Sequence, residues 1–207
     1  MRRTREVLAL ATALGVLSAG LCFANIPDPS LSDVPNVVGS PQGTLPYTVT
    51  VVGSQGPVDT ALVEIVFDAA ADALVCWCTG QAHPVISGVT NAAGQVTFFI
   101  EAGGCVDPAR LGGTVADVYA NGILLDSVGL VDPDAVDGAG NLPTDAGYSS
   151  GGSCVVGLSD ATFHTGPISS GVYEFCTDID SDSSVGLADA VVLTGPISAG
   201  ESCTEAP

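Results

Sequence analysis

The C-terminal part of the chain contains an internal repeat, and this repeat restricts the fold more than any other feature. Residues 156–171 (VGLSDATFHTGPISSG) align without gaps with residues 185–200 (VGLADAVVLTGPISAG), and eleven of the sixteen positions are identical. Repetition at a fixed offset indicates two copies of one supersecondary unit that stack on each other. We therefore expect the two copies to share one local structure.

Each copy has the composition of a loop end followed by a short helix. The Gly-Pro pairs at 166–167 and 195–196 predict that each helix ends there after about two turns. Isolated helices of this length are unstable in water, so the copies must pack together. We expect this contact to involve Leu158, Phe163 and Ile168 of the first copy and Leu187, Val191 and Ile197 of the second, or their close neighbours.

The loop before the second helix, DIDSDSSVGLAD at 178–189, has carboxylates at alternate positions and an apolar residue at position 8. Hard divalent cations take six to eight oxygen ligands, and a twelve-residue loop supplies them from positions 1, 3, 5, 7, 9 and 12. The sequence therefore predicts one calcium site. Its ligands would be Asp178, Asp180, Asp182, the carbonyl of Ser184, Gly186 through a water molecule, and Asp189.

The first copy of the loop is predicted to be degenerate. The ungapped alignment places Ser149, Gly151 and Ser153 at positions 1, 3 and 5, and only Asp160 survives, at position 12. Without anionic ligands at the first three positions, we expect no tight calcium binding there. In the second copy, Ser183 occupies position 6, which usually requires a positive φ, so serine adds strain.

The tandem of loop–helix units, with the pattern of 178–189 followed by AVVLTGPI, resembles a type I dockerin over residues 148–203. The resemblance implies one calcium per intact repeat, folding coupled to that ion, and docking to a cohesin-like or other extracellular protein. It also implies that a few exposed helix residues determine partner specificity. These would be Ala188, Thr194 and Ile197 with their first-copy counterparts Ser159, Thr165 and Ile168.

The N-terminal residues 1–24 have the pattern of a secretory signal peptide. Arg2, Arg3 and Arg5 precede an apolar run at 7–23, and Ala24 lies in a small-residue context suited to cleavage. Lipidation of Cys22 is disfavoured because a leucine precedes it. No later segment approaches the length of a membrane-spanning helix. We expect a secreted protein located outside the cell or at its surface.

Removal of this segment leaves Arg110 as the sole basic residue, and no lysine. The whole chain has 4 basic and 23 acidic residues; three arginines and Glu6 belong to the signal, so the remaining formal charge is 1 − 22 = −21. Nucleic acids and anionic membranes bind lysine- and arginine-rich surfaces, so neither is an expected partner. A strongly acidic surface favours solubility and suits calcium.

Six cysteines remain after the signal, and an even number in a secreted chain indicates disulfides. They are Cys76, Cys78, Cys105, Cys154, Cys176 and Cys203. Six cysteines allow 15 pairings. We expect Cys105 to pair with Cys76 or Cys78, and Cys154 with Cys176. Cys203 would then join the remaining cysteine, which would cross-link two domains or two subunits. Zinc is disfavoured because only one residue separates Cys76 from Cys78.

Residues 47–131 have the texture of short β-strands separated by turns, after an extended lead-in at 25–46. Asn121-Gly122 predicts a two-residue hairpin with positive φ at both positions. Seven runs predict an antiparallel sandwich: 47–52, 61–67, 73–77, 85–90, 95–101, 114–119 and 123–131. An acidic linker at 132–147 would then precede the helical module at 148–207. Asp132, Asp134, Asp137 and Asp145 could bind a second ion, but a solvated linker is favoured.

The stretches GPVDTALVEIVF (56–67) and GVTNAAGQVTFFI (88–100) resemble bacterial Ig-like and carboxypeptidase-regulatory-like domains. The expected fold class is therefore mainly β, an Ig-like antiparallel β-sandwich followed by a small α-helical dockerin-like domain of tandem EF-hand-type units. The resemblance implies a binding, spacer or structural module.

No serine elbow, metal-dyad motif or phosphate loop is present, and we expect no catalysis. His83 is expected in a loop, His164 half-buried on its helix, and Trp77 in the core. The expected function is docking by a secreted, calcium-binding protein within a polysaccharide-degrading or cell-surface assembly. Two alternatives stay open: a structural subunit of a surface layer or fibre, self-associating through its lead-in, and a carbohydrate-binding module.

Overall fold

The computed structural model describes residues 25–148 and 154–203. The predicted signal peptide, Cys22 and the predicted first-loop positions 149, 151 and 153 lie outside these residues. The described strands are β1 Val37–Ser40, β2 Pro46–Thr50, β3 Val52–Gly53, β4 Gly56–Pro57, β5 Leu62–Phe67, β6 Cys76–Trp77, β7 Val85–Val89, β8 Gln95–Gly103, β9 Ala116–Ala120, β10 Ile123–Val128 and β11 Leu130–Val131. The helices are α1 Ala69–Asp72, α2 Pro108–Leu111, α3 Leu158–Ser170 and α4 Leu187–Ala199, with a 3₁₀ turn at Phe175–Thr177.

Two β-sheets form the larger part of the molecule. The first has the order β11-β1-β8-β2, with β6 also paired to β8, and the second has the order β10-β9-β5-β7. Alternate side chains of β5 and β8 are buried, as expected where one face of a strand meets the core. These inward side chains join one apolar cluster with those of the neighbouring strands. The prediction of a mainly β protein is confirmed.

Strand β1 corrects the prediction of an extended lead-in and of a purely antiparallel arrangement. It lies between β8 and β11 and is parallel to both. Val37 and Val38 are both buried. A strand buried on both faces lacks the alternating pattern by which half-buried strands are detected. The preceding residues also pair within the chain, through bridges from Pro27 to Gly53 and from Asp33 to Thr50.

The hairpin between β9 and β10 forms as predicted. Asn121 and Gly122 have φ values of 50° and 77°, and the flanking strands pair antiparallel. The Asn121 side chain also accepts a hydrogen bond from the backbone N–H of Leu62. In contrast, only Cys76 and Trp77 of the run predicted at 73–77 are in a strand, because helix α1 and its C-terminal turn occupy the preceding residues.

Helices α3 and α4 continue through their Gly-Pro pairs, which is a correction. Pro167 and Pro196 lie inside helices of 13 residues each. Proline disfavours a helical residue before it partly through a clash with that residue's Cβ, and the preceding glycines have none. Both helices instead end where Gly171 and Gly200 adopt left-handed conformations.

The contact between α3 and α4 also differs from the expected one. Leu158, Leu187 and Val191 are 83%, 79% and 68% exposed, so these predicted contact residues face solvent. The leucines are the first residue of each helix, ahead of the turns that pack. Ile168 and Ile197 are half-buried against the main apolar cluster.

Three disulfides connect the helical segment to the sheets, with pairings that correct two expectations. The bonds are Cys76–Cys154, Cys78–Cys203 and Cys105–Cys176. Cys105 does not pair with Cys76 or Cys78, and Cys154 does not pair with Cys176. The expectation that Cys203 pairs with one of the two neighbouring cysteines is correct.

A local pairing explains the arrangement of the first two bonds. Val155 and Ser202 form an isolated β-bridge, and the backbone N–H of Cys203 donates to the carbonyl of Cys154. Cys154 and Cys203 therefore lie side by side, next to Cys76 of β6 and to Cys78, which follows that strand. The start of the helical segment is therefore bonded to β6, and its end is bonded to the residue that directly follows β6. The spacing of the cysteines in the sequence does not predict these long-range pairings.

The segment after β11 is packed against the protein instead of being a solvated linker. Ala135, Val136 and Leu142 are buried in a small cluster with the Cys105–Cys176 bond. Asp132 is completely buried as well. Because the segment carries four aspartates, the sequence indicated a polar linker and did not predict that these three apolar residues are buried. Within the described residues, no helix is long and apolar enough to cross a membrane.

Candidate metal-binding loop and helix surface

The three aspartates at positions 1, 3 and 5 of the loop at 178–189 come together in space. Carboxylate oxygens of Asp178, Asp180 and Asp182 all lie within 4.8 Å of one another. Asp178 is buried, whereas the other two are exposed. The local turns follow from side chains that accept backbone N–H groups: Asp180 accepts from Asp182 at 3.3 Å, and Asp182 from Ser184 at 2.8 Å. Such turns are typical of aspartate.

Asp178 is the most constrained of the three carboxylates. Its Oδ2 accepts the backbone N–H of Ser183 at 3.1 Å, and its buried Oδ1 has no hydrogen-bond partner within 3.5 Å, although the Tyr173 hydroxyl is near enough to the carboxyl to lower its pKa. Burial is the main cause that raises the pKa of Asp178, and the nearby Asp189 adds to it. Burial and Asp189 likewise raise the pKa of Asp180. A cation would relieve this repulsion and satisfy the open oxygen.

Asp189 at position 12 closes the loop through backbone hydrogen bonds. Its Oδ1 accepts the N–H of Ile179 at 2.9 Å, and its Oδ2 accepts that of Gly186 at 2.9 Å. Gly186, predicted to bind through water, is the residue that precedes α4. A carboxylate in the first turn of a helix is also favoured by the helix dipole. Asp189 thus joins the loop to the helix that follows it.

Position 6 has the backbone conformation that the sequence predicted. Ser183 has a φ of 67°, and Ser181 has a φ of 58°. Non-glycine residues in this left-handed region cost roughly 1–2 kcal/mol each. Each turn of the loop is therefore strained, and ligand binding is one way to offset that strain.

The structure contains a second loop of this kind, at 135–142, which the sequence reading missed. Asp160 accepts the N–H of Val136 at 3.0 Å and that of Gly157 at 2.9 Å, and so reproduces both contacts of Asp189. Gly140 has a φ of 85° at the position of Ser183. Leu142 is buried at the position of Val185. We name residues 135–142 loop one and residues 178–189 loop two.

Loop one lacks the carboxylates of loop two. Ala135 and Ala139 stand at positions 1 and 5, and Asp137 at position 3 accepts the N–H groups of Ala139 and Asn141. The predicted positions 149, 151 and 153 are therefore not the counterparts of the three aspartates. An insertion between Leu142 and the helix displaced loop one in the ungapped alignment. A gapped comparison of AVDGAGNL with DIDSDSSV would have found it.

Helices α3 and α4 form a groove of about 340 Å³ with matching walls. Its ten lining residues form five pairs at the offset of the repeat, 29 residues, among them Thr165 with Thr194 and Ile168 with Ile197. Of the residues predicted to set specificity, these four line the groove, whereas Ala188 and Ser159 lie outside it.

The helices present no charge to solvent. Their only charged side chains, Asp160 and Asp189, are buried. Leu158, Leu187 and Val191 are exposed beside the groove. An uncharged surface with exposed apolar side chains is unusual in so acidic a chain and is typical of a protein interface.

Trp77 is half-buried and already has partners on its ring. Phe67 contacts it edge-on, with centroids 5.0 Å apart, and His83 stacks on it at 5.0 Å with an angle of 7° between the planes. Its indole N–H donates to the carbonyl of Asp72. Because His83 covers one face, the ring lacks that face as a platform for a sugar.

No known protein family, curated protein or solved structure matches this chain.

Proposed function

We propose that this is a secreted, non-catalytic protein in which a calcium-binding, dockerin-like module docks onto an extracellular protein partner. The two sheets form an Ig-like sandwich that carries this module, in a cell-surface or polysaccharide-degrading assembly. Three disulfides are consistent with an oxidising extracellular location.

The calcium assignment rests mainly on the convergence of Asp178, Asp180 and Asp182, together with the open, buried oxygen of Asp178. Three carboxylates within 4.8 Å repel one another unless a cation or protons neutralise them. Oxygen ligands on a loop of this spacing suit Ca²⁺ better than Mg²⁺, which demands a stricter octahedral geometry. One ion is proposed, in loop two, because loop one lacks two of the three aspartates.

The docking assignment rests on the uncharged surface of α3 and α4. Loop two leads directly into α4 through Asp189, so an ion in the loop would fix the start of that helix. The alternatives have less support. Strand β1 is already paired in its own sheet, which removes the lead-in as a strand for a neighbouring subunit, and His83 covers one face of Trp77.

Charge introduced on the helix surface is expected to abolish docking. Residues 25–207 would be immobilised with the double substitution Leu158→Asp and Leu187→Asp. Because both leucines are highly exposed, folding should persist while a charged pair occupies the interface. The measurement is retention of proteins from the secreted and cell-surface fractions of the source organism, in calcium and in chelator.

The matched control is the double substitution Leu62→Asp and Leu124→Asp, which places the same two charges on exposed leucines of β5 and β10. We expect one partner to be retained in calcium by the wild type and the control, and lost in chelator and with the double variant. Equal retention in chelator, or by the double variant, contradicts docking through this surface.

A further inference from the structure

His164 is a buried polar residue at a helix position where packing does not require one. It lies on α3, and its counterpart on α4 is Leu193, which is equally buried. The sequence suggested that it would be half-buried, but only 1% of it is exposed. Because leucine fills the same position in the second copy, the imidazole must be explained by its hydrogen bonds.

Both ring nitrogens of His164 have partners next to the two loops. Nε2 lies 3.2 Å from the carbonyl oxygen of Pro133, just before loop one, and Nδ1 lies 3.1 Å from Oγ1 of Thr177, just before loop two. A carbonyl oxygen can only accept, so Nε2 carries the proton. Burial lowers the pKa of His164 to about 4, so the ring is neutral and Nδ1 accepts from the Thr177 hydroxyl.

Thr177 is itself completely buried and directly precedes Asp178, the carboxylate with the open oxygen. We propose that His164 is a positioning residue for the metal site: through Thr177 it holds Asp178 in place, and through Pro133 it ties that site to loop one. This inference rests on the proposed calcium binding by loop two.

The hydrogen bond to Thr177 can be removed without changing the shape of the side chain. Valine has the size of threonine but no hydroxyl, whereas serine keeps the hydroxyl. Partners that orient metal ligands typically contribute 10–100-fold to metal affinity. In calorimetric titrations of residues 25–207 with Ca²⁺, we expect Thr177→Val to weaken binding about tenfold. Thr177→Ser should bind like the wild type.

His164→Leu tests the other side of the same contact, and the double variant tests the coupling. If the two residues act together, the double variant with Thr177→Val binds calcium no more weakly than His164→Leu alone. His164→Gln, which keeps a donor for Pro133, is a second test should the leucine variant fold poorly. Thr97→Val, an exposed threonine of β8, is the matched control and should have no effect.

The outcomes separate this inference from the calcium assignment. Absence of Ca²⁺ binding by the wild type overturns both. Calcium binding by the wild type with equal affinity in Thr177→Val overturns only the role of His164, as do additive effects of the two substitutions. Weaker binding in Thr177→Val with recovery in Thr177→Ser supports the contact, because loss of packing alone would not be restored by the smaller serine.

Discussion

Replacement of Cys78 and Cys203 by serine is expected to lower the midpoint of thermal unfolding by roughly 5–15 °C, even in saturating calcium. This bond joins residues 125 apart in sequence and connects the chain after α4 to the residue that follows β6. Removal of a native disulfide typically costs 2–5 kcal/mol, because the unfolded chain gains freedom. Neither Cys78 nor Cys203 belongs to loop two, so bound calcium does not replace the link that the bond provides. The loss of stability should therefore persist in calcium.

Differential scanning calorimetry of oxidised residues 25–207 would measure this shift, and peptide mapping would first establish the pairing. Cys154 and Cys203 could each pair with either Cys76 or Cys78, so two alternative arrangements are possible. Mapping is expected to find Cys76–Cys154 and Cys78–Cys203. The crossed pairing, or an unchanged midpoint in the double variant, contradicts this arrangement.

The calcium-free protein is expected to be more stable at pH 5 than at pH 7.5. Burial, followed by the charge of Asp134, raises the pKa of Asp132 well above its usual range. Burial, followed by the charge of Asp160, raises the pKa of Asp134 from 3.8 to about 7. The geometry agrees, since Asp132 is completely buried and its Oδ2 has no partner.

The direction follows from proton binding. Above about pH 4 the unfolded chain releases protons that the folded state still holds on these two carboxyls. The stability they contribute is therefore complete at low pH and is lost as the pH rises toward 7. For a carboxyl with a folded pKa near 7, such as Asp134, stability falls by about 2.5 kcal/mol between pH 5 and pH 7.5, less whatever solvent screening removes.

His164 acts in the opposite direction, because its folded pKa of about 4 lies below its unfolded value, and it lowers stability at pH 5 by about 2 kcal/mol. The net gain in stability at pH 5 therefore comes from the second raised carboxyl, Asp132. Acidification also reduces the net negative charge of the chain.

Urea unfolding in chelator at the two pH values would measure this difference. Asp132→Asn removes one buried titrating group, so it should raise stability at pH 7.5 and reduce the pH dependence. Asp59→Asn makes the same change of charge at an exposed position and should do neither. A free energy of unfolding that increases from pH 5 to pH 7.5 contradicts the burial of these carboxyls in the folded state.

Local patterns were the predictable part of this fold. The Asn121-Gly122 hairpin and most of the strands follow from turn chemistry and alternation. The positive φ of Ser183 follows from loop spacing. Strand β1 has no alternation and depends on partners far away in sequence, and the disulfides depend on the Val155–Ser202 bridge. Such contacts are set by the whole fold.

The candidate site, too, could be predicted from the sequence only where its residues are close together in the chain. Loop two could be predicted because its three aspartates occupy alternate positions within one short stretch of the chain. Loop one could not, because an insertion separates it from Asp160 and two of its ligand positions are alanines. The length of the helices was also misjudged, since a glycine before each proline removes one of the clashes by which proline disfavours a helix.

The central claim is that loop two binds one calcium ion and loop one binds none. Calorimetric titration of residues 25–207 with Ca²⁺ and with Mg²⁺ tests it most directly, using matched substitutions at position 3 of each loop. The wild type and Asp137→Asn should bind one Ca²⁺, with much weaker Mg²⁺ binding, whereas Asp178→Asn and Asp180→Asn should lose the Ca²⁺ signal. Absence of binding by the wild type, a stoichiometry of two, or undiminished binding by Asp180→Asn would contradict the account.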